Sequence, residues 1–221
     1  MINFLSPRYD QTLGYDGPRR RYDPRILADV ADAITRSSPD FMLITLGGSE
    51  HFYHGAVNNP RPFQFILPDE PMSDCDPGAE LVPYDLAREQ FRVDLSGVLY
   101  ILPQIRVLTP APMLYLSPPP PVGPSHLIAA HMPPMWRTEA QMLGVPEPPL
   151  RYRLWQLFTD LADELCRDAD IDFLPVPPLS IDKGGFLEER YRKDSLHANE
   201  EYGQLVLSEA LKRVRAQRKQ R

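Results

Sequence analysis

The chain has 221 residues, 43% hydrophobic and 24% charged, which is ample for one domain with a full core. A net charge of −6 argues against nucleic acid as the main partner, no apolar run approaches the roughly 18 residues of a bilayer span, and no secretory signal pattern opens the chain. Two cysteines, Cys75 and Cys166, make no disulfide framework and fit a reducing compartment, so the expected location is cytoplasmic.

In chain order, Ile2-Asn3-Phe4-Leu5 reads as a short strand and residues 8–23 as a polar loop that carries Arg19-Arg20-Arg21. The next segment, 24–36, predicts a helix: Pro24 suits a first turn, and Ile26, Leu27, Val30, Ala31 and Ile34 share one face. The apolar run 41–46, ended by Gly47-Gly48, has the pattern of a strand covered on both faces. Residues 51–83 read as irregular and 84–102 as helix, through Leu86, Phe91, Leu95, Val98, Leu99 and Leu102. A strand over 112–116 runs into Ser117 and four prolines, and a second long connection follows over 122–149. Leu154, Leu157, Phe158, Leu161 and Leu165 mark a helix over 151–167, and 172–174 a strand that runs into Pro175. The last helix starts with Asn199 as N-cap and reaches about Arg215.

Strands alternating with helices imply a single α/β domain over 1–221, a three-layer sandwich around a parallel sheet. Ligands in such sheets bind beyond the carboxyl ends of the strands, here Ser6, residues 47–50, Ser117 and the segment after Leu174. The 26 prolines cluster at such ends, as rigid connectors or as the rim of a pocket. From about 212 a basic tail carries Lys212, Arg213, Arg215, Arg218, Lys219 and Arg221, cations that suit a helix C-terminus.

Asp194 and His197 stand three residues apart just before the last helix. That spacing lets a carboxylate orient an imidazole from one short loop, as activation of a nucleophile requires; an aspartate that stabilises a turn closed by a histidine has the same pattern. Glu50, His51 and His54 crowd a strand end, where Glu50 or His51 could touch a substrate, and the two histidines with Asp194 or His197 could hold a metal. His126 and His131 read as surface histidines, and Asp182-Lys183-Gly184-Gly185 as a turn or lid. No phosphate loop, dinucleotide fingerprint or zinc-finger spacing occurs.

Three blocks in this order resemble the SGNH/GDSL hydrolase superfamily. Asp194-x-x-His197 is similar to its D-x-x-H block, Gly47-Gly48-Ser49-Glu50 to its G-x-N-D block, and Ser117 with its prolines to the end of its fourth strand. The resemblance implies a flavodoxin-like sheet and serine-type hydrolysis of an ester without a metal. It makes His197 the general base, Asp194 its orienter, Gly48 and Ser49 the oxyanion side, and Gly48, Glu50, His51 and Ser117 the substrate contacts. The expected substrate is an acyl or acetyl ester of a carbohydrate or small molecule, and no metal or organic cofactor is implied.

The sequence departs from the family in two places. It has no G-D-S block, and Ser49 stands where the family has an asparagine. Ser6 and Ser49 are the candidate nucleophiles; Gly47-x-Ser49 also resembles part of a nucleophile elbow, although His51 replaces its second glycine and no helix is expected at once. Three readings stay open: a fragment whose first strand lies upstream of Met1, a complete chain with another nucleophile, or a non-catalytic binding relative. The last would use the same cleft, or an exposed sheet edge that a second copy of the chain could cover.

Overall fold

The computed structural model describes residues 22, 23, 25–72 and 75–218. The strand expected at Ile2–Leu5, Ser6, the Arg19–Arg21 cluster, Pro24, Lys219 and Arg221 lie outside the described residues.

The described chain is a mixed α/β structure built on a small parallel sheet. β1 (Met42–Ile44), β4 (Met113–Leu116) and β5 (Asp172–Leu174) lie in the order β1-β4-β5, all parallel. The register places Leu43 beside Leu114 and Leu114 beside Asp172, then Ile44 beside Tyr115 and Tyr115 beside Phe173. Side chains alternate across a strand, so each such row belongs to one face. Leu114 and Leu174 join a core with Leu43, Leu116 and the last helix, α8 (Glu200–Arg218), through Tyr202, Val206, Ala210 and Val214. Met113, Tyr115, Ile44 and Phe173 face the larger core, with α1 (Ile26–Ser37), α3 (Tyr84–Asp94), α4 (Ser96–Arg106) and α7 (Pro148–Asp168). Asp172, on the α8 side, meets the Arg213 guanidinium at 4.0 Å, and Lys212, Arg213, Arg215 and Arg218 belong to the last turns of α8.

α7 shows why its sequence was legible. Pro148 and Pro149 stand in its first turn, where a missing N–H costs nothing, and Leu154, Leu157, Phe158 and Leu161 repeat at helical spacing on its buried side. Asp170 turns left-handed at φ 54°, and the Ile171 N–H reaches back to the Cys166 carbonyl at 2.8 Å, which caps the helix and aims the chain into β5.

Four expectations change. The helix expected over 84–102 is two helices that meet at Leu95, a buried residue at φ −81°, ψ 2°, outside helical geometry. Its 11-residue second half tolerates Pro103 and extends to Arg106. The irregular stretch 51–83 holds α2 (Glu50–Gly55) and a two-stranded parallel pair, β2 (Phe63–Gln64) with β3 (Glu80–Leu81). The connection 122–149 contains α5 (Ser125–Ala130) and α6 (Pro134–Leu143), which lie over a satellite core of Val122, Ile128 and Met132. Short helices were missed because a few turns have too few apolar repeats to stand out and take their stability from packing. Among the described residues no helix is long and apolar enough to cross a membrane.

Leu114 is fully buried in the middle strand, so Leu114→Ala is expected to lose about 2–5 kcal/mol of stability. Urea unfolding checks this; Val107→Ala, at an 83% exposed site, should stay within about 0.5 kcal/mol of wild type.

Candidate functional site

The turn after β1 is shaped by a buried carboxylate. Gly47 and Gly48 have φ of 74° and 96°, in the left-handed region that favours glycine. A Cβ on Gly47 would stand 3.2 Å from a Glu50 carboxylate oxygen, and one on Gly48 3.3 Å from Pro118 Cβ. Glu50 is 1% exposed, and its Oε2 accepts the Gly48 N–H at 2.7 Å. The Gly48 N–H expected to hold an oxyanion is therefore already bonded to a carboxylate. Above the turn, the Tyr115 hydroxyl donates to the Leu46 carbonyl, and burial, then the nearby Glu50 carboxylate, push that phenol well above its ordinary range.

Ser49 directly precedes α2, and its carbonyl accepts the N–H groups of Phe52 and Tyr53. A helix thus follows Ser49 at once, contrary to the sequence expectation, and the segment is a strand–turn–helix. Ser49 itself has a relaxed φ of −113°, without the strain of an elbow nucleophile. His51 points inward: it is 6% exposed, its ring lies 5.8 Å from that of Phe158, and its buried Nδ1 has no hydrogen-bond partner among the described residues. Burial lowers its pKa from 6.5 to about 3. Ser117 is also buried; its N–H donates to the Leu174 carbonyl and its hydroxyl to the Pro118 carbonyl.

The segment 194–197 forms the expected pair. His197 Nδ1 lies 2.9 Å from Asp194 Oδ2 and 3.0 Å from Oδ1, while Oδ1 also accepts the N–H groups of Leu196 and His197. Burial alone would raise the Asp194 carboxyl, but these bonds and the imidazole hold it below its ordinary value. The His197 side chain is 64% exposed, and the hold on Nδ1 leaves Nε2 outward. Asn199 caps α8 through Oδ1, which accepts the Tyr202 N–H at 3.1 Å, and its Nδ2 donates to the Arg190 carbonyl. Ser195 and Leu196 turn the other way and line a small cavity with His51 and Phe52, so the start of α2 and the Asp194–His197 turn are neighbours.

A second aspartate–histidine pair escaped the sequence. His54 Nε2 lies 2.6 Å from Oδ2 of Asp94, a residue 2% exposed whose other oxygen accepts a bond from Gln90. Forty residues separate the partners, so no local spacing could reveal them. Arg151 did leave a signal: it precedes Leu154, Trp155 and Phe158 at helical spacing, a cation on an apolar stripe, and it is 3% exposed. His126 and His131 are exposed. Asp182 Oδ1 closes its turn by accepting the N–H groups of Gly184 and Phe186. Among the described residues no three His, Cys, Asp or Glu side chains gather as a metal site needs, so His51 and His54 do not join Asp194 or His197 in one.

No protein-family model matches the sequence, and no curated protein matches it. Among solved structures the chain is similar to one described as "a putative platelet activating factor from Streptococcus pneumonia", at 13% identity and a TM-score of 0.45, over 86% of this chain and 91% of that one. A likeness at this level carries no argument about fold or chemistry.

The neutral, buried His51 gives a pH test. Its folded pKa of about 3 lies below the unfolded value of 6.5, so between them the unfolded chain binds the extra proton. Stability is therefore expected to fall as pH drops from 6.5 towards 3, by up to about 1.4 kcal/mol per pH unit from this group. Urea midpoints across that window check it, and a His51→Gln chain should show the shallower slope.

Proposed function

We propose that this chain is a single-domain α/β sandwich with a flavodoxin-like sheet, similar to the SGNH hydrolases, and that it hydrolyses an acyl or acetyl ester of a carbohydrate or small molecule. The carrying observation is the Asp194–His197 pair, a carboxylate 2.9 Å from the imidazole of an exposed histidine on a turn capped into α8. In this reading the carboxylate fixes the tautomer with Nδ1 protonated and stabilises the imidazolium, and Nε2 takes the proton of the attacking hydroxyl. Ser49 or Ser6 supplies that hydroxyl.

One observation favours a second reading, a non-catalytic binding protein of the same fold. Glu50 occupies the Gly47–Gly48 turn and takes the Gly48 N–H, so a negative carboxylate lies where the first reading needs a donor for a developing oxyanion.

Labelling of the folded chain with a fluorophosphonate probe, followed by peptide mapping, separates the two. The esterase reading expects one adduct, on Ser49 or Ser6, formed at least about 100-fold more slowly in His197→Ala. A folded chain that takes no adduct overturns it in favour of the binding reading.

A further inference from the structure

We propose that the cavity beneath the Asp194–His197 turn is a binding site for one small inorganic anion of halide size, held by Arg151 of α7 and His51 of α2. The proposal does not rest on the hydrolase reading: it needs no chemistry from Asp194 or His197, and it gives His51 a role other than the substrate contact expected from the sequence.

The cavity has three polar walls, His51, Arg151 and Ser195, and otherwise apolar ones that include Phe52, Val122 and Ile128. Its volume of about 10 Å³ suits one water-sized occupant and excludes sulfate, phosphate or a carboxylate without rearrangement. Ser195 donates its hydroxyl hydrogen to the His131 carbonyl at 3.0 Å, which ties the 194–197 turn down as the cavity's cover.

Among the described residues no carboxylate meets Arg151 at ion-pair distance, although Glu147 attracts its charge from further away. Nη1 donates to the Pro146 carbonyl and to Ser125 Oγ at 3.2 Å, and Nη2 to the carbonyls of Gly123 and of Val122, the latter at 3.1 Å. All four acceptors are uncharged, and among the described residues no carboxylate forms an ion pair with it. Burial lowers the guanidinium pKa only to about 10, with Glu147 pulling it up, so Arg151 stays protonated near neutral pH. A buried cation without a counter-charge is costly, and so is a buried donor without an acceptor. Among the described residues Arg151 Nε is such a donor, and His51 Nδ1 is a second buried nitrogen with no partner.

Both orphaned nitrogens belong to residues that line the same cavity. A water molecule there could satisfy hydrogen bonds but would leave the guanidinium with no counter-ion in contact, only the more distant Glu147. A monatomic anion accepts from Arg151 Nε–H and from an N–H tautomer of His51, and cancels the charge as well. That difference decides for the anion.

The test is thermal unfolding of the full chain at fixed ionic strength, with sodium chloride or bromide exchanged against sodium gluconate, whose anion is too large to enter. The expected result is a saturable, halide-specific rise in Tm; halide at ten times its dissociation constant raises the folding constant about elevenfold. Arg151→Met should lose that rise. Because Arg151 also clamps the 122–125 loop, His51→Phe is the second variant: it keeps the clamp and should weaken the halide response. Bromide-soaked crystals should show an anomalous peak between Arg151 and His51. Equal Tm in halide and gluconate, or a cavity holding only water in those crystals, overturns the proposal.

Discussion

The two-sided parallel pairing of β4 is the constraint on which the rest depends. Among the described strands β1 pairs with one side of β4 and β5 with the other, both parallel, so the backbone groups of β4 are met on both sides. Parallel strands cannot be joined by tight turns, so each connection has to travel back over a face of the sheet. Those returns supply α7 and its neighbours over Tyr115, while α8, which follows the last strand, covers the other face over Leu114. The same constraint brings the strand exits to one end, where the Gly47–Gly48 turn meets the proline run that starts at Pro118.

That end of the sheet is unusual for what it buries. Glu50, His51, Asp94, Arg151, Arg153 and Ser117 are all below a tenth exposed, although charged and polar groups normally stay in water. Several are compensated locally: Glu50 by the Gly48 N–H, Asp94 by His54 and Gln90, and Arg153 by Glu70 at 2.7 Å. Glu50 and Arg153 tie α2 and α7 to loops and Asp94 ties α3 to α2, and breaking one of these contacts would leave a buried group unpaired. The polar groups here therefore hold the strand-end loops in position, and His197 presents its ring on the outside of that frame.

Much of the framework could be read from residue order. The apolar run ended by Gly47-Gly48, the strand ahead of the four prolines, and the repeats of 151–167 correspond to β1, β4 and α7. They were legible because burial imposes periodicity, and glycine and proline mark where it stops. The Asp194–His197 contact was legible for a similar reason: partners three residues apart in one turn can meet without help from the rest of the chain.

What the sequence determined by itself was local: element type where apolar repeats are long enough, helix caps such as Asn199, and the short-range Asp194–His197 pair. Only the tertiary structure decided that Glu50 would fold back into the glycine turn, that His54 would meet Asp94, and that Arg151 and His51 would face one cavity from two helices. Glu50 is close in sequence to Gly48, but its burial at 1% exposure with Oε2 on the Gly48 N–H belongs to the folded turn and is not encoded by the spacing. The others bring distant segments together: removal from water costs each polar group unless a partner meets it there, and no spacing along the chain encodes that meeting.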